Sequence, residues 1–183
     1  DLYITDLSAD VPDNSERLIA GQYAANSRPA LDVDNLHAHL TMQRSHTPWL
    51  SFTDWHTQLS PYLPWQLVMS SSFGQVTLDL QALIVENALI STGIGDIHMI
   101  APYEAFEALY CHSTLGNIYL TTPPGCNVRV SVEGGRFFGV QVDDSRYEVA
   151  DDDGTVFLSR DPDDDAPAVD IVVSGTFGDV YLQ

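Results

Sequence analysis

An all-β fold, a right-handed parallel β-helix or solenoid with coils of about 20 residues, is predicted by three observations. First, an apolar residue, a glycine, a short polar residue and alternating apolar residues recur four times: Phe73-Gly74-Gln75-Val76-Thr77-Leu78, Ile94-Gly95-Asp96-Ile97-His98-Met99, Leu115-Gly116-Asn117-Ile118-Tyr119-Leu120 and Phe177-Gly178-Asp179-Val180-Tyr181-Leu182. Second, the glycines are 21, 21 and 62 residues apart, the last interval being close to three periods with one residue lost. Third, apolar residues alternate on both sides of each glycine, the mark of a strand with one buried face.

After the glycine the inward positions are Val76 and Leu78, Ile97 and Met99, Ile118 and Leu120, and Val180 and Leu182, with Thr77, His98, Tyr119 and Tyr181 facing out. Before it, three ladders are expected to face in. These are Met69/Ile90/Cys111/Val173, Ser71/Thr92/Ser113/Gly175 and the large Phe73/Ile94/Leu115/Phe177. Apolar residues both one before and two after the glycine require a bend or bulge there, which a residue without Cβ allows. The glycines are therefore corners of one edge. A phosphate-binding loop would lead from a strand into a helix, and here another strand follows. Stacking at about 4.8 Å per coil gives roughly nine coils and a rod of about 40 Å. Right-handedness follows from the crossover preference.

Three segments are expected. Residues 1–44 form N-terminal β coils, 45–65 an aromatic and Pro-rich connecting segment, and 66–183 the solenoid proper, continuous with those coils. Asp1-Leu2-Tyr3-Ile4 matches the residues after a corner glycine. Ser15–Ala25 admits one short helix, though Gly21 argues for strands. Leu36–Met42 reads as a strand on which His37 and His39 share a face; with no third ligand nearby they read as solvent-facing rather than as zinc ligands. The segment with Pro48, Trp49, Phe52, Trp55, Pro61, Tyr62, Pro64 and Trp65 reads as a loop that plugs the flank, with carbohydrate stacking as the competing use. Pro123-Pro124-Gly125 feeds a strand over 126–132, and strands are expected at 146–149 and 155–158. Between them Asp151-Asp152-Asp153-Gly154 reads as a hairpin turn. The EF-hand spacing fails because Val149 stands where an oxygen ligand is needed.

The 183 residues carry a formal charge of −19, from 26 acids against seven arginines and no lysine. Residues 143–165 alone hold nine aspartates and one glutamate against two arginines, a net −8. Such a charge argues against a nucleic-acid partner and against direct binding to an anionic membrane. No stretch reaches the ~18 apolar residues of a membrane span, and no signal sequence opens the chain. The chain reads as part of something longer, whose signal or anchor segments lie upstream. Cys111 and Cys126 lack any metal-ligand spacing, and Cys111 sits at an inward position, so both read as buried hydrophobes, with a disulfide left open.

The order of motifs resembles a known family. Leu59-Ser60-Pro61-Tyr62-Leu63-Pro64, two glycine-centred coils, Pro123-Pro124-Gly125, Gly134-Gly135-Arg136-Phe137, Tyr147, and Val169-Asp170-Ile171-Val172-Val173 with Phe177-Gly178-Asp179-Val180 are together similar to the toast-rack family of bacterial envelope proteins. They also resemble the C-terminal domain of cell-wall-stress regulators and the proposed adhesins of the same β-helical kind. The resemblance implies a β-solenoid outside the cytoplasm, often tethered to a membrane, with no catalytic residues to carry over. The family's corner often has two glycines where Ser72-Phe73-Gly74 and Thr114-Leu115-Gly116 keep one, and Cys126 stands where an aliphatic residue is common.

The expected role is a non-enzymatic, extracytoplasmic structural or adhesin-like domain. It uses no cofactor or metal, and it meets a protein partner or another copy through its solenoid ends. That last expectation rests on Asp1–Ile4 and Gly178–Leu182, which carry no cap beyond them. An envelope-stress regulator docking on a sensor is the alternative. A β-helical polysaccharide-cleaving enzyme is the second; Asp143, Asp144, Arg146 and Glu148 would carry it, but acids in a solvated loop lack the burial that tunes a general acid.

Overall fold

The computed structural model describes residues 2–6, 19–22, 30–34, 37–41 and 55–183, and these are all-β with no helix. The early strands are β1 (Leu2–Asp6), β2 (Ile19–Gln22), the hairpin β3 (Ala30–Asp34) and β4 (His37–Thr41), and β5 (Trp55–Leu59). Three like passes follow: β6 (Pro64–Phe73) with β7 (Val76–Asp79), β8 (Ile84–Ile94) with β9 (Ile97–Ile100), and, after the short β10 (Glu104–Ala105), β11 (Leu109–Leu115) with β12 (Ile118–Thr121). Then come β13 (Asn127–Val142), β14 (Tyr147–Val149), β15 (Val156–Ser159) and β16 (Ala168–Leu182). The long β13 and β16 each run through the positions that two strands fill in the earlier passes.

Before the glycines the parallel order is β6, β8, β11, β16, β13; after them it is β5, β1, β7, β9, β12, β16, β13. The sheet is mostly parallel and curls back on itself in the manner of a solenoid. The corner glycines stack on one edge, as the repeat requires: the amide of Gly74 donates to Ile94 O at 2.9 Å, that of Gly95 to Leu115 O at 3.0 Å and that of Gly116 to Phe177 O at 3.1 Å. All four have positive φ, from 120° to 151°. A Cβ on Gly95 would lie 2.1 Å from the Gly74 carbonyl oxygen, so backbone occupies the space a side chain needs. Beside each glycine runs a second ladder. Asp96 Oδ1 accepts from the Asn117 amide at 2.7 Å, and Asn117 Oδ1 from the Asp179 amide at 3.0 Å.

Four expectations need correction. The 62-residue interval is not three coils, because Gly178 stacks directly on Gly116 and β16 pairs with both β11 and β12. Residues 127–142 go past this place, pair on the far side of β16, and leave the slot for it. Accordingly, neither β1 nor β16 is an open end. Each has parallel partners on both sides, so the stacking of chain ends loses its premise. Among the described residues, the longer face has seven parallel strands rather than nine coils, about 29 Å over its six steps. Finally, Phe73, Ile94, Leu115 and Phe177 are 46–74% exposed. The chain bends before it reaches the glycine, and both the residue two before it and the one just before it point out of the core.

The inward ladders otherwise form the core, with Val76, Leu78, Ile90, Ile97, Met99, Ile118, Leu120, Val173 and Leu182 at 0–1% exposure. Small residues three before the glycine make room for the bend. Thr92 Oγ1 donates to Gly95 O at 3.1 Å and lies 3.2 Å from Ser113 Oγ, so neither hydroxyl is buried unpaired. On β13 the residue opposite Gly178 is Phe138, and the strand accommodates it with a bulge between Gly134 and Phe137. The Phe138 ring fills the space beside Gly175, where a Cβ would meet it at 2.1 Å. Tyr147 is 1% exposed and its hydroxyl pairs with that of Thr122, closing the core below the last turn.

The thiols are free and buried, as read from sequence. Burial pushes Cys111 up to about 12 and Cys126 up to about 11, with the Asp163 charge adding to the latter. Neither is a thiolate near neutral pH. Leu2, Tyr3 and Ile4 align with Val76, Thr77 and Leu78, which is the equivalence their sequence suggested. Ile19–Gln22 is a strand paired with β5, in line with Gly21; residues 15–18 and 23–25 lie outside the described residues. His37 and His39 both fall on β4, and His39 is exposed. Of the plug, residues 45–54 lie outside the described residues. Leu59 and Ser60 are buried, Trp65 Nε1 donates to Ser60 O at 2.7 Å, and Tyr62 is 77% exposed.

Candidate functional site

The outward side of β6, β8, β11 and the first half of β16 carries four rows in register. One is Val68, Leu89, Tyr110 and Val172, and the next is Ser70, Ser91, His112 and Ser174. A third, by alternation, is Ser72, Gly93, Thr114 and Thr176. The fourth is Phe73, Ile94, Leu115 and Phe177, which Phe137 of β13 extends by one place, its ring 5.4 Å from that of Phe177. None of the sixteen positions on these four strands is Asp, Glu, Lys or Arg, in a chain where 18% of residues are charged.

This face is two apolar ridges with a valley of small polar residues between them. Val68 is 75% exposed, Leu89 52% and Tyr110 49%, against the ridge at the corner already described. Part of the valley is internally paired: His112 Nδ1 and Ser174 Oγ are 2.9 Å apart, and Ser91 Oγ donates to Met69 O at 3.4 Å. Charge stands next to it: on β13 the exposed Glu133 continues the valley row beside Ser174, the exposed Arg129–Asp170 pair stands at 3.9 Å, and Asp96 and Asp179 lie past the corner. Exposed apolar rows rimmed by polar groups are a common feature of interaction surfaces. Around the corner, His98, Tyr119 and Tyr181 stack ring on ring, at 4.4 and 4.8 Å, on the outward side read from sequence. Their faces are spent on one another, so they form no open platform for a sugar ring.

The acids considered for hydrolysis serve their own loops. Asp143 Oδ1 accepts from the Ser145 amide at 2.9 Å and from its hydroxyl at 2.6 Å. These bonds hold its carboxyl below the usual range, the wrong direction for a general acid at neutral pH. Glu148 faces Arg160 at 3.5 Å, and Arg146 Nη2 donates to Thr122 O at 2.5 Å. The Arg160 guanidinium also donates to the carbonyls of Asp144 and Tyr147. Two clefts beside Arg160, of about 330 and 240 Å³, are lined by these turn residues; the first holds Glu148 and Asp161 in its lining, and there Arg160 is paired with Glu148.

Asp151 caps its own hairpin turn. Its carboxylate accepts from Thr155 N at 2.9 Å, Thr155 Oγ1 at 2.6 Å and Val156 N at 2.8 Å, and its pKa is lowered by them. Among the described residues no three His, Cys, Asp or Glu side chains gather as a metal-binding group. Because the folded pKa is depressed, the stabilisation from Asp151 is full above the unfolded value of about 3.9 and is lost as pH falls through the folded value. Asp151→Ala is therefore expected to melt below the unsubstituted protein at pH 7, with the gap narrowing as pH is taken below the unfolded value and through the depressed folded one. Thermal melts of both from pH 7 downward into the acid range check it; a gap that stays constant throughout would sink this role.

The molecule so described is a curled, mostly parallel β stack with two exposed apolar ridges. No family model matches the sequence, and no curated protein does. Among solved structures it is similar to a crystal structure of a protein from Clostridium sporogenes with a proposed role in cell adhesion. The TM-score is 0.77 and the identity 14%, over 99% of this chain and 86% of that one. At this identity the likeness establishes the fold.

Proposed function

We propose that this chain is a non-enzymatic, adhesin-like interaction domain of the cell exterior, wound as a right-handed β-solenoid in which the N-terminal strands are continuous with the rest. The observation that carries the reading is the pair of exposed apolar ridges with no charged side chain between them on β6, β8, β11 and β16, because the largest apolar patch of a protein surface is often where it binds. The likeness to the Clostridium sporogenes protein supports the setting, and the acidic remainder of the surface suits a solvated exterior. Beads coated with the domain should adhere to bacterial envelope preparations or to cell surfaces, and beads carrying Leu115→Glu should adhere at least tenfold less. Adhesion no better than that of beads bearing an unrelated acidic protein would sink the reading.

A further inference from the structure

We infer that the second half of β13 is a docking edge for the same strand of a second copy of this chain, paired antiparallel across a two-fold axis at Val140; this goes beyond the adhesion reading and uses a different surface. The two halves of β13 are finished differently. Along Arg129, Val130 and Ser131 its outer edge is taken by β15, and the Val132 amide donates to Thr155 O at 2.8 Å. From Phe137 to Val142 it has β16 on one side and, among the described residues, no strand on the other. Alternation fixes which groups stand open. The Asp143 amide donates to Leu182 O at 3.0 Å, so Gln141 and Gly139 also turn their N–H and C=O toward β16, and Phe138, Val140 and Val142 turn theirs outward. A row of unpaired backbone groups is a template for another strand.

The sequence of the edge selects its occupant. Phe137-Phe138-Gly139-Val140-Gln141-Val142 holds neither proline nor charge, so nothing in it guards against pairing and nothing repels its own copy. Its two ends carry opposite signs, the exposed Arg136 before it and the exposed Asp143 and Asp144 after it. Arg136 makes no ion pair among the described residues. Antiparallel pairing centred on Val140 sets Phe138 of each copy against Val142 of the other and satisfies all the outward backbone groups. Centred on another residue, it runs one end of the row into the bulge before Phe137 or the turn after Val142. The same register brings Arg136 of each copy to the Asp143–Asp144 turn of the other. A parallel pairing in register would set arginine against arginine and aspartate against aspartate, which destabilises.

The test is sedimentation of the 183-residue chain from about 1 to about 500 μM in about 150 mM salt, where a reversible monomer–dimer equilibrium is expected. Val140→Pro removes an N–H that points away from β16, so it keeps the fold and should weaken association at least about tenfold. Should Val140→Pro misfold, two exposed charge variants keep the question open to decision. Arg136→Asp and Asp144→Arg should each weaken self-association several-fold, because each opposes like charges at both ends of the pair. An equimolar mixture of the two should associate as the parent does, since every opposition then becomes an attraction. A strict monomer at every concentration overturns the proposal. So does association that a folded Val140→Pro and both charge variants leave intact, and so does a mixture that associates no better than either variant alone.

Discussion

Ile97→Asp is expected to abolish cooperative folding. Ile97 is fully buried at the head of β9, in register with Val76 on one side and Ile118 on the other, so every atom around the new carboxylate belongs to an apolar ladder. No arginine lies among these neighbours, and an unpaired buried charge costs several kcal/mol, much of the ~5–15 kcal/mol that holds a domain together. Tyr119→Ser, one rung on and facing out, loses its stacking on His98 and Tyr181 and is expected to cost about 1 kcal/mol. Circular dichroism melts separate the two outcomes. Equal losses of melting temperature would refute the assigned facing.

Gly95→Ala is the second large effect. At φ 144° an L-residue is strained by roughly 1–3 kcal/mol before any contact is considered. The added Cβ would also lie 2.1 Å from the carbonyl oxygen of Gly74 and 2.7 Å from its carbon, and backbone on a stacked corner cannot swing away as a side chain does. Relief requires the rungs to separate at the corner, breaking the Gly74–Ile94 hydrogen bond and disturbing the hydroxyl cluster of Thr92 and Ser113 beneath it. A loss above about 3 kcal/mol is expected. Gly154→Ala is the internal comparison. That glycine has φ 68° but open space around it, so the change costs about 1–2 kcal/mol of backbone strain alone. Urea denaturation of the two variants measures both, and the corner assignment fails if Gly95→Ala is the milder.

What was legible in the sequence is what local pattern determines. Alternation gave the strands and the inward face after each glycine, and the glycine period gave the stacking of Gly74, Gly95 and Gly116. The placement of β16 was not legible, because spacing along the chain carries no record of which rung is filled out of turn. The exposure of the corner ridge was not legible for a different reason. Phe73, Ile94, Leu115 and Phe177 are apolar, and apolar residues at a regular position were assigned to the core. One signal was available: Leu67-Val68-Met69, Ala88-Leu89-Ile90 and Leu109-Tyr110-Cys111 are apolar at three successive positions, and a strand that keeps both sides apolar has something to cover on each. Tyr147 and Phe138 reach the core through a turn and a bulge, where period-two reasoning does not extend.

The out-of-turn rung bears on the order of assembly. In a chain made from its N terminus, β13 is complete before the first residue of β16 exists, yet among the described residues β16 is its only parallel partner. At about 5–20 residues per second, the 40 residues from Val142 to Leu182 leave β13 waiting for about 2–8 s. During that time the far edges of β11 and β12 also stand open, with the same spacing and the same apolar alternation as the edge β13 presents. The two edges are templates for each other, and a direct β11–β13 pairing has to open again before Ala168–Leu182 slides between them. Residues 143–165, which lead from β13 to β16, form β14 and β15, and β15 pairs with the opposite edge of β13, so the edge that β16 takes is not filled by them.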